Sequence, residues 1–213
     1  MTVAIIDYGS SNLRSAVKAF EFAAENLGIK TKILVTNNPS DLQSAKRIVL
    51  PGVGTFADCR IGLAKLDGMD KALEEHVREK KKPFFGICVG MQLMATIGRE
   101  NLDMNGLDWL PGEVVKLTPS QPKLKIPHMG WNNITINTPK HPLLKGIEKD
   151  QHFYFVHSYV FKPDENLDVL ATFNYGGSFV AIVGRENIFG TQFHPEKSQI
   201  NGIKIISNFL EWN

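Results

Sequence analysis

The chain has only two cysteines, Cys59 and Cys88, among 213 residues. They lie in unlike settings and show no spacing typical of metal ligands. This pattern argues against a disulfide framework and against a zinc site. We therefore expect no metal or other cofactor, and a reducing cytoplasm is the expected compartment.

The sequence also lacks long apolar runs and a large excess of charge of one sign. No stretch approaches the roughly 18 apolar residues that a membrane span requires. Residues 1–7 show neither a basic leader nor a small-residue cleavage site, and we interpret them as a buried first strand. Twenty-four basic residues against twenty-two acidic ones leave a formal charge of +2. Neither a nucleic-acid partner nor a membrane partner is expected from this balance.

What the sequence does contain is enough apolar material for one large core, at 43% of the residues. The first hundred residues alternate apolar strand-like runs with helical periodicity, which predicts a parallel sheet. Strands are predicted at 3–7, 32–36, 47–50 and 84–88, and helices at 12–27, 71–80 and 89–97. Shorter β-rich runs follow at 113–117, 133–136, 153–161, 169–173, 179–183 and 188–193, before a helix at 202–210. We predict one α/β domain over residues 1–213, with a mainly parallel central sheet flanked by helices and with antiparallel strands added in the C-terminal half.

One cysteine has the surroundings of a nucleophile. Glycines stand two positions before and two positions after Cys88, between a predicted strand and a predicted helix. This is the pattern of a nucleophile elbow, in which a sharp turn exposes the side chain above the sheet. The start of a helix and a nearby imidazole would favour the thiolate. The alternative is an inert apolar cysteine at a strand end, but such an end does not require both glycines. Cys59 is not flanked by glycines in this way and is interpreted as structural.

Acyl transfer by a thiolate also requires N–H donors for the developing oxyanion. The N–H of Val89, directly after the nucleophile, is one candidate. The Pro-Gly-Val-Gly loop at 51–54 follows a predicted strand and therefore opens at the same carboxyl edge of the sheet. It is a second candidate, although a plain tight turn remains an alternative. Gln92 lies one helical turn after Cys88 and could reach the polar end of a substrate; its alternative is an exposed helical glutamine.

Six histidines compete for the role of general base. The pattern favours His194, because it ends a predicted strand and Glu196, two residues later, could orient its ring. His157, in the middle of a predicted strand, is a rival, and His128, in a predicted loop, is also possible. The remaining three are interpreted as surface or turn residues: His76, His141 and His152.

Two segments, 85–92 and 192–198, resemble the nucleophile and His/Glu segments of triad-type, or class I, glutamine amidotransferases. The resemblance extends along essentially the whole chain and implies a flavodoxin-like fold. It implies that Cys88, His194 and Glu196 hydrolyse glutamine to glutamate and ammonia through a γ-glutamyl thioester. The residues that match substrate-holding positions are Gly52, Gln92, Ser158 and Tyr159, and those that match the oxyanion site are Gly52, Val53 and Val89. In this family the Val53 peptide turns before its N–H points inward, a step coupled to a partner.

Further segments, at 7–13, 50–54, 127–132 and 154–159, resemble one branch of the family. In that branch a (βα)₈-barrel cyclase subunit receives the ammonia for histidine biosynthesis, which implies a heterodimer. The residues that match positions at or near the subunit interface are Asn12, Trp131, Tyr154 and Lys197. Thr96 is a departure, since many relatives are expected to carry a glutamate there, eight residues after the nucleophile.

Two alternatives remain open. Close relatives feed ammonia to other synthases, for instance in surface-sugar pathways, and the triad does not separate them. A catalytically silent α/β module that regulates a partner is the other alternative. The joint presence of Cys88, His194 and Glu196 argues against it, because a silent module does not require them.

Overall fold

The computed structural model describes residues 1–9 and 12–212. Within them the strands are Thr2–Ile6 (β1), Lys32–Thr36 (β2), Arg47–Gly52 (β3), Phe84–Cys88 (β4), Ala95–Gly98 (β5), Met104–Asn105 (β6), Leu110–Lys116 (β7), His128–Ile136 (β8), His152–His157 (β9), Tyr159–Pro163 (β10), Val169–Asn174 (β11), Ser178–Arg185 (β12) and Ile188–Thr191 (β13). The α-helices are Leu13–Asn26 (α1), Asp41–Ser44 (α2), Phe56–Ala64 (α3), Met69–Leu73 (α4), Val89–Gln92 (α5) and Gln199–Glu211 (α6). A π-helical segment, Glu74–Glu79, continues α4, and 3₁₀ turns occur at Pro142–Leu144, Asn166–Asp168 and Pro195–Lys197.

Nine of these strands form the large sheet, in the order β2-β1-β3-β4-β13-β12-β11-β8-β9. The pairings from β2 to β13 are parallel, and those from β13 to β9 are antiparallel. A second sheet has the order β10-β7-β5-β6. The predicted α/β class, with a parallel centre and antiparallel strands in the C-terminal half, is confirmed.

The parallel centre is buried on both faces, as the continuous apolar strands predict. Successive side chains of a strand point to opposite faces, and β4 shows the consequence. Phe85 packs against Phe20 of α1 and Phe209 of α6, with ring centroids 6.3 and 5.3 Å away. Phe84 packs on the other face against Trp109, at 4.9 Å.

Two local predictions are wrong. The predicted helix at 89–97 ends at Gln92, and Ala95–Gly98 is a strand, because it pairs with β7 and β6 of the second sheet. The predicted strand at 153–161 is two strands, because the chain changes sheets at Ser158: β9 pairs with β8 and β10 pairs with β7. Tertiary pairing overrides local preference in both cases.

The topology brings the predicted site residues to one edge. In the parallel registers, Gly52 of β3 stands beside Cys88 of β4, and Thr191 of β13 stands beside Ile87. The segments that follow these strands therefore start side by side. They carry Val53, Val89 and the segment 192–196.

Candidate active site

Cys88 sits at a strained turn between β4 and α5. Its φ of 54° and ψ of −110° are values that a residue with a side chain rarely adopts. Glycines make the turn possible, since a Cβ atom at Gly86 would lie 2.6 Å from the carbonyl oxygen of Gly90. Strain of this kind persists where the surrounding structure enforces it, which is common at functional sites. The predicted elbow is therefore present.

A histidine and a carboxylate complete the arrangement around the sulfur. His194 Nδ1 donates to Glu196 Oε1 at 2.7 Å, and His194 and Cys88 line the same cavity. The side chains of His194 and Glu196 are only 2% and 4% exposed. The 3₁₀ turn that begins at Pro195 folds Glu196 back onto the ring. A thiol nucleophile, its base and a carboxylate that orients the base would require these three residue types close together.

The electrostatics of this group favour a charged imidazole. Burial disfavours the imidazolium, but the interactions of the ring with Cys88 and with the Glu196 carboxylate outweigh burial. Together they raise the pKa of His194 to about 10. The ring can therefore carry a proton beside the sulfur at neutral pH.

The titration of His194 should depend on Cys88. In the wild-type protein we expect the imidazole to stay protonated through neutral pH and to lose its proton near pH 10. In Cys88→Ala the proton should be lost at lower pH, because the negative sulfur that stabilises the imidazolium is gone. NMR of histidine-labelled protein measures both titrations. His128, whose pKa burial lowers to about 4, is the internal control; equal His194 midpoints in the two proteins would contradict the ion pair.

A cavity of about 240 Å³ opens beside the sulfur. It is lined by Val53, Gly54, Cys88, Val89, Gln92, Glu100, Pro127, Val156, His157, Ser158, Tyr159, His194 and Lys197. Of the residues expected to hold the substrate or the oxyanion, all line this cavity except Gly52. A Cβ atom at Gly52 would lie 2.6 Å from the amide nitrogen of Gly90 and 2.9 Å from the Val89 side chain. Gly52 thus lets the two loops approach each other.

One lining residue was missed by the sequence analysis. Glu100 contributes the only carboxylate among the lining residues, and its Oε2 accepts a hydrogen bond from the backbone N–H of Phe56 at 2.8 Å. Thr96, the departure from the family pattern, is not among the lining residues, and it donates to Asp108 Oδ1 at 2.6 Å. Nothing in the local pattern marks Glu100, because the strand β5 that positions it was itself predicted as helix.

His157 and His128, the other candidates for the general base, lie in different surroundings from His194. His157 lines the cavity, but burial and the neighbouring His128 and His194 lower its pKa to about 3. His128 begins β8 rather than lying in a loop, and it is buried between Phe155 and Phe173. Both rings are therefore neutral at physiological pH. His76 is also buried, so its surface interpretation is wrong.

Cys59 fits its structural interpretation. It is buried and donates a hydrogen bond to the carbonyl of Val53 at 3.5 Å. Burial raises its pKa to about 11. It therefore remains a thiol at neutral pH.

Of the four residues expected at a partner interface, Lys197 lines the cavity and the other three are linked by contacts to Lys197 or to Glu196. Trp131 is half exposed and packs edge-on against Tyr154, at 5.8 Å between centroids. The Lys197 ammonium lies 5.9 Å from the centroid of the Tyr154 ring. Asn12 differs from the other three, because its Nδ2 donates to Glu196 Oε1 at 3.2 Å. It is thus in contact with the carboxylate that orients His194.

Among residues 1–9 and 12–212, no group of His, Cys, Asp or Glu is arranged to hold a metal ion. No helix in that part of the chain combines the length and the apolar character needed to cross a membrane.

Comparisons with known proteins agree on one family. The sequence profile described as "Glutamine amidotransferase class-I" matches residues 4–212. The chain is 54% identical to the imidazole glycerol phosphate synthase subunit HisH of Rhodopseudomonas palustris and 55% identical to the subunit of the same name from Agrobacterium fabrum. Each match covers 100% of this chain and 99% of the relative.

Solved structures support the fold alone. A crystal structure of a glutamine amidotransferase has a TM-score of 0.71 at 19% identity, and covers 98% of this chain and 97% of its own. A glutamine amidotransferase from Thermotoga maritima has a TM-score of 0.65 at 15% identity, and covers 99% of this chain and 96% of its own.

Proposed function

The chain belongs to the class-I glutamine amidotransferase family, and on that premise we propose that it is the glutaminase subunit of an imidazole glycerol phosphate synthase. The central observation is the strained turn that holds Cys88 beside His194 and Glu196 at the wall of a cavity. The full-length identity with subunits of that synthase supports the choice of synthase.

The first half of the reaction is the acylation of Cys88. The thiolate attacks the carboxamide carbon of glutamine, and the former carbonyl oxygen becomes an oxyanion. His194, held by Glu196, gives its proton to the nitrogen as the C–N bond breaks. Ammonia leaves, and a γ-glutamyl thioester remains on the sulfur.

The second half returns the enzyme to its starting state. His194, now neutral, takes a proton from a water molecule as its oxygen attacks the thioester carbon. The C–S bond then breaks, which restores the thiolate–imidazolium pair, and the new carboxyl group loses its proton to solvent and leaves as glutamate. The net reaction consumes glutamine and water and yields glutamate and ammonia.

The oxyanion requires donors that are in place before charge develops. We assign this role to the N–H of Val89 and to the peptide of Gly52 and Val53. Support comes from the close approach of Gly52 to Gly90 and Val89, and from the place of Val53 and Val89 in the cavity wall. The Val53 carbonyl is held by Cys59, so a turn of the preceding peptide would leave that contact in place.

The cavity also offers charges for a zwitterionic amino acid. Glu100 is the carboxylate that can pair with the α-ammonium group, and Lys197 contributes a positive charge to the lining. Gln92, Ser158 and Tyr159 supply hydrogen-bonding groups from the facing walls. Glu100 should therefore distinguish glutamine from an amide that lacks an amino group.

Replacing Glu100 with glutamine should weaken substrate binding. Glu100→Gln keeps the size of the side chain and the acceptor for the Phe56 N–H but removes the charge. A partly exposed ion pair of this kind is worth roughly 1–2 kcal/mol, so the KM for glutamine should rise about tenfold while kcat changes less. Steady-state kinetics of glutamate release measures both constants. Glu148→Gln, at an exposed carboxylate, is the control, and an unchanged KM in Glu100→Gln would contradict the assignment.

The proposed partner is a (βα)₈-barrel cyclase that converts the ammonia into imidazole glycerol phosphate and an aminoimidazole carboxamide ribotide, in a cytoplasmic heterodimer. The surface formed by Trp131, Tyr154 and Lys197 supports a contact next to the cavity, since half-exposed aromatic side chains are typical of interfaces. Asn12 would connect that surface to Glu196. A partner seated there could pass ammonia on without release to solvent.

Reconstitution tests this function. The purified chain, mixed with the cyclase encoded in the same genome, should support glutamine-dependent product formation. Product formed only with a different synthase, such as one of surface-sugar pathways, would overturn the choice of partner. Glutamate release that is equal for wild type and Cys88→Ala, each with partner, would instead favour a silent regulatory module.

A further inference from the structure

We propose that Gln192 is a further functional residue of this site: its side-chain amide donates a hydrogen bond to the sulfur of Cys88 and fixes the orientation of Gln92. The proposal rests on the proposed function, in which Cys88 is the nucleophile. Gln192 lies in the loop between β13 and His194, and neither the sequence pattern nor the family resemblance gave it a role.

The geometry places this amide between two site residues. Gln192 Nε2 lies 3.7 Å from Cys88 Sγ, within the distance of a hydrogen bond to sulfur. Its Oε1 accepts from Gln92 Nε2 at 3.0 Å. The residue is fully buried, and its backbone N–H donates to the carbonyl of Ala181 at 2.8 Å. A buried amide whose nitrogen and oxygen both form hydrogen bonds has little freedom to rotate.

The backbone carbonyl of Tyr159 determines which atoms donate and which accept in the hydrogen bonds that link Gln92, Gln192 and Cys88. Gln92 Nε2 also donates to the carbonyl oxygen of Tyr159 at 3.0 Å, and a carbonyl oxygen can only accept. The nitrogen of Gln92 must therefore face both Tyr159 and Gln192. The group of Gln192 that meets it must be the oxygen, which leaves the nitrogen of Gln192 facing the sulfur.

Two consequences follow for the reaction. An N–H directed at sulfur stabilises the thiolate over the thiol, because hydrogen bonds to charged groups are the stronger ones. The hydrogens of the Gln92 amide are already engaged with Tyr159 and Gln192. Gln92 therefore offers its oxygen, an acceptor, to the substrate cavity that it lines.

The test is the alkylation of Cys88 by iodoacetamide as a function of pH, in the full chain without glutamine. Peptide mapping by mass spectrometry restricts the readout to Cys88. In Gln192→Met, which has a similar volume and no donor, the rate at neutral pH should fall about tenfold and the profile should move to higher pH, as expected for a lost hydrogen bond to a charged group. Gln192→Glu should be slower still, since a carboxylate would face the thiolate. Gln43→Met, at an exposed helical glutamine, should match the wild type.

The outcomes separate this proposal from the function on which it rests. Alkylation needs no turnover, so a wild type that fails to hydrolyse glutamine with its partner would overturn the function alone. A wild type that hydrolyses glutamine while folded Gln192→Met has an unchanged alkylation profile would overturn the role of Gln192 alone. If the variants do not fold, NMR of the wild type decides: the Gln192 side-chain amide signals should move over the pH range in which alkylation accelerates. Signals that stay fixed over that range would overturn the proposal.

Discussion

Replacing Cys88 with alanine is expected to lower the rate of glutamine hydrolysis by at least about 10⁴-fold, the scale of nucleophile deletions in comparable triads. Without the sulfur no thioester can form, and the remaining groups cannot substitute for it. Glutamate release at saturating glutamine, with the cyclase partner present, measures the loss. Product formation by the same complex from added ammonia should be unchanged, because the proposed partner carries the acceptor chemistry.

Cys59→Ala is the matched control, since it removes the other cysteine of the chain. Cys59 is a buried thiol whose raised pKa keeps it protonated. We expect this variant to retain glutaminase activity within about tenfold of the wild type, a limit set by the loss of one buried contact. A Cys88→Ala protein within tenfold of the wild type would contradict the assigned nucleophile.

The second large effect is expected at Gly90, two residues after the nucleophile. A Cβ atom there would lie 1.8 Å from the carbonyl oxygen of Leu50 and 2.8 Å from its carbonyl carbon. Both atoms belong to the backbone of the buried strand β3, so the clash can be relieved only by moving the elbow away from the sheet. Gly90→Ala should therefore lower the free energy of unfolding by about 3 kcal/mol or more.

Urea denaturation followed by circular dichroism measures this change. Gly177→Ala is the control, because a Cβ atom in that exposed turn would meet only the Phe179 ring, at 3.3 Å. We expect it to change the free energy of unfolding by no more than about 1 kcal/mol. A Gly90→Ala protein as stable as the control, with full glutaminase activity, would show that the elbow does not need this glycine.

The sequence predicted the parts of the fold that depend on local pattern. The predicted strands at 32–36 and 84–88 have the correct bounds, because short apolar runs bounded by polar residues or proline signal strands. The elbow at Cys88 followed from two flanking glycines. Their spacing reflects a steric requirement that no other residue type meets.

The parts that depend on distant pairing were not predicted. Residues 95–97 are predicted as the end of a helix, yet pairing with β7 and β6 makes Ala95–Gly98 a strand. That error concealed Glu100, which enters the cavity only because β5 directs the chain there. The role of Gln192 was not predicted for the same reason, since its contacts with Gln92 and Cys88 span 100 and 104 residues of sequence.

The choice of the general base depends on both local pattern and distant contacts. Sequence spacing favoured His194 because Glu196 follows closely, but it left His157 as a rival. In the structure His157 also lines the cavity, so position alone does not separate the two. Their surroundings do, since only His194 pairs with a carboxylate and with Cys88.

The most direct test of the central claim is the capture of the acyl enzyme. The wild-type chain, with its partner and glutamine, is quenched in acid during turnover and digested, and the peptides are analysed by mass spectrometry. The account predicts a γ-glutamyl group on the peptide that contains Cys88, absent when glutamate replaces glutamine. Active turnover with that peptide unmodified, or with the glutamyl group on another residue, would contradict it.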